Sequence, residues 1–206
     1  MPEALLTKTT TRESILDATD RLLGRLGYQK TTIDDLAREA GVARRTVYLH
    51  FPSKEEIFLC SIDRVVDRLL ARLRDLARSE APPAERLRRM LLERVLYRFD
   101  SVRAYHASLD ELLAVLRPAY LRRRDRYFRA EAEVLASVLA EGIRGGALEA
   151  ADVAGTARTL VTATNALIPA ALSAADLGSR ESVEQDASRV VELLLRGLRP
   201  SPRPKP

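Results

Sequence analysis

The chain has 206 residues, of which 46% are hydrophobic and 31% are charged, and these proportions exclude a fibrous or wholly disordered protein. No run of about eighteen apolar residues occurs, and the N-terminus lacks the basic flank and long apolar core of a signal peptide. We therefore expect a cytoplasmic protein with no membrane partner, and the single cysteine, Cys60, agrees with a reducing compartment. The formal net charge of +5 is compatible with a nucleic-acid partner but does not indicate one by itself.

The first predicted helix starts at Thr10, which has the spacing of a capping box with Glu13, and it ends at Gly27. Residues 1–9 are predicted to form a loose arm. This helix offers an apolar face on which two shorter helices can bury their own apolar residues. The residues of that face are Ile15, Leu16, Thr19, Leu22, Leu23 and Leu26.

The stretch from Thr32 to Lys54 is the most informative part of the chain. Thr32 can cap a second helix, with Asp35 as the reciprocal partner of a capping box. Gly41 ends that helix, because glycine readily takes the positive φ of a chain that leaves a helix. A further short helix is predicted over 43–51, and two short helices joined by a tight turn form a helix-turn-helix.

In the second short helix, Val47 and Phe51 are four residues apart and share the face that packs on the first. The rest of its surface suits DNA. Arginine presents a fork that fits N7 and O6 of guanine, and tyrosine and histidine can donate to phosphate oxygens. The outward residues are Arg44, Arg45, Tyr48, Leu49 and His50.

Pro52 ends the second short helix, and Ser53 with Glu56 has the spacing of another capping box, so a long helix is predicted to begin at Lys54. A lysine at a helix N-terminus is suited to a phosphate group. A plainer interpretation also exists, since helix-turn-helix shapes occur as packing units and exposed arginines are often merely solvated.

These residues resemble the N-terminal signature of the TetR-type transcriptional regulators, which runs close to T-x-x-x-[IL]-A-x-x-A-G-V-x-x-x-T-[LV]-Y-x-[HY]-F-x-[SN]-K-x-x-[LI]. Two positions depart from it, because Ala43 stands where a capping serine is common and Arg45 where a glycine or proline is common. The operator sequence therefore cannot be taken from a relative. The matching positions are Thr32, Leu36, Ala37, Ala40, Gly41, Val42, Thr46, Val47, Tyr48, His50, Phe51, Ser53, Lys54 and Ile57.

The resemblance implies a DNA-binding set in this chain. Arg44 and Arg45 are expected to read bases, and the other members are expected to contact the DNA backbone. The full set is Thr32, Arg44, Arg45, Thr46, Tyr48, His50 and Lys54.

After Pro52 the apolar periodicity is helical almost throughout, with no convincing alternating strand. The sequence thus predicts an all-α fold: an N-terminal three-helix helix-turn-helix domain over 1–52, joined by a long helix to a helical domain over 53–199, with a disordered basic tail over 200–206. The helices predicted after the long one cover 84–99, 102–116, 118–144, 152–176 and 181–198.

Catalytic and cofactor motifs are missing from the sequence. It has no glycine-rich phosphate loop and no paired-cysteine metal spacing, and its histidines are His50 and His106. His106 and Asp110 form either a surface pair or a pocket donor, and the basic run over 122–126 is either a solvated face or an anion contact. We expect no enzyme activity, no catalytic residue, no cofactor and no metal.

The resemblance further implies a homodimer, a palindromic operator in double-stranded DNA, and a small-molecule effector that releases a repressor from it. The last two predicted helices, 152–176 and 181–198, have the apolar and small residues that a dimer interface needs, although they could simply cover the core.

An effector pocket is expected in the helical domain. Pro169 should bend the helix predicted over 152–176, which would free the carbonyl of Asn165 and leave Thr162 one turn away as a second polar group. Aromatic residues are the candidate walls, with core packing as the alternative for each. The candidate pocket residues are Tyr97, Tyr105, Tyr120, Tyr127, Phe128, Thr162 and Asn165.

Two other classes of function stay open on the sequence. An architectural or adaptor protein could use the same helix-turn-helix without a ligand, and an all-helical enzyme is a more distant alternative. The effector, the operator, the regulated genes and the choice between repression and activation are not identified by the sequence.

Overall fold

The chain folds as a series of α-helices in the computed structural model, which describes residues 3–103, 109–167 and 178–200. No β-strand occurs within these ranges, so the all-α prediction is confirmed. The elements are α1 (Glu3–Lys30), α2 (Ile33–Ala40), α3 (Arg44–His50), α4 (Lys54–Ala77), α5 (Pro83–Val102), α6 (Leu109–Arg144), α7 (Val153–Ala163), a short 3-10 turn (Asn165–Leu167) and α8 (Arg180–Arg196).

The helices group into two compact units. The first comprises Met1–Val65 with Val102–Arg122, and the second comprises Val66–Ser101 with Arg123–Pro206. None of the described helices is long and apolar enough to cross a membrane.

In the first unit, apolar faces of α1, α2 and α3 meet in one core, to which the start of α4 adds Ile57. Val47 and Phe51 are buried there, as their spacing predicts. One arginine of α4, Arg64, adds ion pairs to α1. The partners of Arg64 are Glu13, Asp17 and Asp20, at 3.2, 2.6 and 2.6 Å.

The start of the first helix differs from the prediction. Helix α1 begins at Glu3, so the loose arm is wrong for residues 3–9, and Thr10 lies inside the helix instead of capping it. The upstream residues Glu3, Ala4 and Leu5 are good helix formers, which extends the helix beyond the capping signal. Gly27 breaks the helix as predicted, with φ 75° and ψ 175°.

The break predicted near residue 117 is also wrong, because α6 continues through Pro118. Proline in a helix costs about 3 kcal/mol through the lost donor and the ring clash. Leu116 and Tyr120 on either side of Pro118 are both buried, so one uninterrupted apolar face offsets that cost.

The predicted helix over 152–176 ends much earlier. Helix α7 stops at Ala163 and Asn165 belongs to the 3-10 turn, so the prediction of one continuous helix through Asn165 is wrong. Pro169 and the bend predicted there lie outside the described residues. The hydroxyl of Thr164 donates to the carbonyl of Leu160 at 2.9 Å, and such side-chain bonds compete with helix continuation.

The second unit contains an ion cluster inside its apolar core. On α5, the Nε of Arg94 donates to Oε2 of Glu131 on α6 at 2.6 Å, and Arg98 donates to both oxygens of the same carboxylate. The Nη1 of Arg94 also donates to the Thr164 hydroxyl at 2.9 Å. The side chains of Arg94 and Glu131 are 0% exposed. Two buried guanidiniums therefore share one buried carboxylate.

The pKa of Glu131 reflects this arrangement. Burial acts to raise the pKa, but the charges and hydrogen bonds of Arg98 and Arg94 oppose it, and the pKa falls below the ordinary value of 4.5. Because the pKa is depressed in the folded chain, the carboxylate stabilises the fold above the unfolded pKa, and this contribution is lost as the pH falls through the folded pKa.

We predict that Glu131→Gln lowers the free energy of unfolding by about 3 to 5 kcal/mol at neutral pH, because it leaves two buried guanidiniums without their carboxylate. The difference from the wild-type chain should narrow below pH 4.5. Urea unfolding across a pH series measures both effects. The exposed Glu184→Gln, which loses a surface pair with Arg180, is the control and should cost less than about 1 kcal/mol. Equal effects of the two substitutions would contradict the prediction.

Candidate nucleic-acid interface

The turn between α2 and α3 is built from local signals that the sequence reveals. Thr32 and Asp35 form the complete predicted capping box, with 3.1 Å from Asp35 N to Thr32 Oγ1 and 3.1 Å from Thr32 N to Asp35 Oδ2. Gly41 takes a left-handed conformation with φ 69°, and its amide donates back to the end of α2. The turn that joins α2 to α3 is therefore short, and its backbone conformation is fixed.

One face of α3 is anchored and the opposite face is exposed. Val47 is fully buried, whereas Tyr48 is 46% exposed and Leu49 is 70% exposed. Arg44 and Arg45 are exposed beside them. We call Arg44, Arg45, Tyr48 and Leu49 the recognition surface. It combines positive charge with apolar and aromatic side chains that stay exposed.

The two arginines of this surface differ in their contacts. The Nη1 of Arg44 donates to Oδ2 of Asp34 on α2 at 2.9 Å, and its guanidinium carbon lies 5.8 Å from the centroid of the Tyr48 ring. The Tyr48 hydroxyl and the Asp34 carboxylate raise the pKa of Arg44. Arg45 makes no side-chain hydrogen bond or ion pair with any residue in the described ranges. Arg45 is thus the more available of the two for a new partner.

The sequence reasoning missed Asp34 as the partner of Arg44. The two residues are ten positions apart on different helices, and no periodic pattern signals such a pair. Asp34 holds the exposed Arg44 side chain against α2 through this ion pair.

Lys54 lies at the first position of α4 and is held against the end of α1. Its Nζ donates to the carbonyl of Gln29 at 3.3 Å and lies 4.3 Å from the centroid of the Tyr28 ring. Burial lowers the pKa of Lys54, against the opposing charges of Glu55 and Glu111. These contacts fix the ammonium group beside the start of a helix, where a phosphate group would be stabilised.

Tyr28 connects the same region to the core. Its hydroxyl donates to Oε1 of Glu55 at 3.2 Å, and its ring meets that of Phe58 edge to face, with centroids 4.9 Å apart. Burial, followed by the charge of Glu55, raises the pKa of Tyr28 to about 12. The Tyr28 hydroxyl is thus held by Glu55 while its ring lies against Lys54.

The remaining predicted DNA-binding residues are Thr32, Thr46 and His50. The Thr32 side chain is exposed and occupied by the capping box, whereas Thr46 and His50 are half-buried along α3. The structure places all seven predicted residues in the first unit, on or beside α2, α3 and the start of α4.

The predicted pocket residues are brought together only in part. Phe128 and Thr162 line a groove of about 590 Å³ between α6 and α7 in the second unit. Three other predicted residues do not line this groove. Tyr127 is buried, and the Tyr97 ring lies 4.6 Å from the guanidinium carbon of Arg72. Asn165 is the third. Tyr120 is buried in the first unit, and Tyr105 lies outside the described residues.

No group of three His, Cys, Asp or Glu side chains suited to a metal ion occurs in the part of the chain that the structure describes. The predicted His106 and Asp110 pair cannot be compared with the structure, because His106 lies outside the described residues.

Comparison with known proteins gives consistent results. The sequence profile of the bacterial regulatory proteins of the tetR family matches residues 15–59. The transcriptional repressor KstR2 of Mycobacterium tuberculosis is 30% identical over 138 residues, which cover 66% of this chain and 68% of KstR2.

Solved structures share the fold over nearly the whole chain. A transcriptional regulator from Cytophaga hutchinsonii has a TM-score of 0.76 at 18% identity, covering 91% of this chain and 98% of its own. The regulator FadR from Bacillus subtilis, solved in complex with stearoyl-CoA, has a TM-score of 0.64 at 20% identity, covering 90% and 98%. The helix-turn-helix signature, the all-helical fold and the similarity to KstR2 together show that the chain belongs to the TetR family of transcriptional regulators.

Proposed function

We propose that this regulator is a repressor, which binds a palindromic operator in double-stranded DNA as a homodimer and leaves it when a small-molecule effector binds. The observation that carries the proposal is the recognition surface, an exposed basic and aromatic face on a helix whose other face is anchored in a core. The similarity to KstR2, a repressor, supports repression over activation.

In this proposal the DNA-binding domain is residues 1–52, and effector binding and dimerisation belong to residues 53–199. The predicted tail over 200–206 lies outside the described residues from 201 onward. We assign no catalytic function, cofactor or metal to the chain, and access to DNA requires a cytoplasmic location.

Arg45 and Arg44 are assigned to base reading. Arginine can donate two parallel hydrogen bonds to guanine. Arg45 makes no hydrogen bond or ion pair with the described residues that such a contact would have to replace. Exposed Leu49 offers an apolar surface to a thymine methyl group. The other predicted residues are assigned to the DNA backbone, where their hydroxyl, imidazole and ammonium groups can donate to phosphate oxygens. They are Thr32, Thr46, Tyr48, His50 and Lys54.

We predict that Arg45→Ala costs about 1 to 3 kcal/mol in operator binding and relaxes the preference at one base pair, because the bidentate contact with the base is lost. By contrast, Lys54→Ala should weaken operator and unrelated DNA alike and reduce the salt dependence by about one phosphate contact. Fluorescence anisotropy on operator variants at several salt concentrations measures both. The exposed Arg189→Ala on α8, in the second unit, is the control. Operator binding unchanged by joint replacement of Arg44 and Arg45 would refute the assignment.

Dimerisation is assigned to α7 and α8. The side chains of Val183, Ala187 and Val191 on α8 are buried in the core of their own unit, whereas Leu193 on the same helix is 67% exposed. An exposed leucine on a helix that otherwise covers a core is suited to a contact with a second copy. One α3 reads too few base pairs for a specific site, so two copies are needed.

We predict that the wild-type chain sediments as a dimer at micromolar concentration and that Leu193→Glu shifts it towards the monomer, because a buried carboxylate would lack a partner at the interface. Glu192→Gln, beside it on an exposed position, is the matched control and should leave the dimer intact. A wild-type monomer in sedimentation equilibrium would disprove the dimer.

Small-molecule release separates this proposal from an architectural role. FadR of Bacillus subtilis was solved with stearoyl-CoA, so long-chain acyl-CoA is the first effector class to test here. We predict that the protein shifts the mobility of the intergenic DNA beside its own gene, and that this shift is lost when the effector is added. If no compound of a broad metabolite panel releases the DNA, the architectural alternative is favoured. The similarity of this chain to the transcriptional repressor KstR2 argues against the alternative of an all-helical enzyme.

A further inference from the structure

The last turn of α1 is held by a residue of α6. Gly27, with φ 75° and ψ 175°, interrupts the regular backbone of α1 shortly before the helix ends at Lys30. Hydrogen bonds of an α-helix join residues four apart, so the regular ladder does not continue across such a break. Just after the break, the backbone amide of Gln29 donates to Oε1 of Glu111 at 3.1 Å, across 82 positions of the chain. Glu111 therefore anchors the end of α1.

The carbonyl of the same residue, Gln29, meets the Lys54 side chain. It accepts a hydrogen bond from Lys54 Nζ at 3.3 Å, while the Tyr28 ring lies on another side of the ammonium group. An ammonium group has three N–H donors, so one bond to Gln29 leaves two for phosphate oxygens. The position of these two donors therefore depends on where the end of α1 is held.

Fixing Lys54 before DNA arrives has an energetic value. A free lysine side chain samples many rotamers, and this conformational entropy is lost when the ammonium group binds a phosphate. A side chain that is already restricted loses less and binds more tightly. In this chain the restriction comes from Tyr28 and Gln29, and half-buried Glu111 holds Gln29. All four residues belong to the first unit.

We propose that Glu111 is a positioning residue of the DNA interface, which fixes Gln29 so that its carbonyl holds the Lys54 ammonium group in place for a phosphate. This inference rests on the proposed contact of Lys54 with the DNA backbone, and it adds a residue of α6, outside the helix-turn-helix. The negative charge of Glu111 would by itself repel phosphate groups. What Glu111 contributes is therefore the oxygen that accepts the Gln29 amide, and not its charge.

The test is fluorescence anisotropy of the full chain with the intergenic DNA, and with an unrelated duplex of equal length, at several salt concentrations. Glu111→Ala removes the acceptor, so we expect both duplexes to bind about three- to tenfold more weakly, with the salt dependence reduced by about one phosphate contact. Glu111→Gln keeps an acceptor oxygen and should bind at least as tightly as the wild type. The control is Asp67→Ala, which removes one negative charge from an exposed position of α4 in the second unit and should bind as the wild type does.

A double-mutant cycle with Lys54→Ala separates positioning from a general effect on the fold. If Glu111 acts through Lys54, the chain with both Lys54→Ala and Glu111→Ala binds DNA no more weakly than the chain with Lys54→Ala alone. A merely structural role would instead add the two losses, because a loosened α1 would disturb the other DNA contacts of the first unit as well.

Three results would overturn the inference: Glu111→Ala binds as tightly as the wild type, Glu111→Gln binds as weakly as Glu111→Ala, or the losses of Glu111→Ala and Lys54→Ala add. If Glu111→Ala does not fold, Glu111→Leu replaces it, since leucine fills more of the space and also lacks the acceptor. Weaker binding by Lys54→Ala but not by Glu111→Ala defeats only this inference. Unchanged binding by Lys54→Ala defeats the proposed phosphate contact of Lys54, and the inference with it.

Discussion

The left-handed backbone at Gly41 is the constraint on which the recognition surface depends. With φ 69° this residue lets the amide of Val42 return to the carbonyl of Ala37 at 2.9 Å, which closes α2 and turns the chain into α3. A Cβ at Gly41 would meet no atom within 4 Å, so the requirement for glycine comes from the backbone conformation and not from crowding. Since the turn fixes where α3 starts, it also fixes which face of α3 meets the core.

The anchored face then determines the exposed one. Burial of Val47 within α3 and of Phe51 at its end leaves Arg45, Tyr48 and Leu49 no position on the core side. Because α3 has only seven residues and no side-chain cap at Ala43, its own hydrogen bonds contribute little to its stability. The stability of the recognition surface therefore comes from packing in the three-helix core and from the contacts that hold α1 to α4.

Local chemistry was predictable from the sequence and non-local chemistry was not. The Thr32 capping box and the Gly41 turn involve residues at most a few positions apart, and both are found as predicted. The continuation of α6 through Pro118 depends on burial on both sides, and the hydroxyl of Thr164, directly after α7, accepts a hydrogen bond from Arg94, seventy positions away in the chain. Such contacts join residues far apart in the chain, so periodicity and propensity contain no sign of them.

Comparison of two arginine sites in different parts of the fold shows why burial decides what an ion pair contributes. Arg64 has three carboxylate partners, and the side chains of those partners are 44% to 54% exposed. Water screens these pairs, so each contributes little to stability. Arg94 and Arg98 meet Glu131 where exposure is 0% to 9% and water screens charges weakly. There the pairing of the charges, and not their number, decides the cost, because a buried charge that loses its partner is not solvated by water.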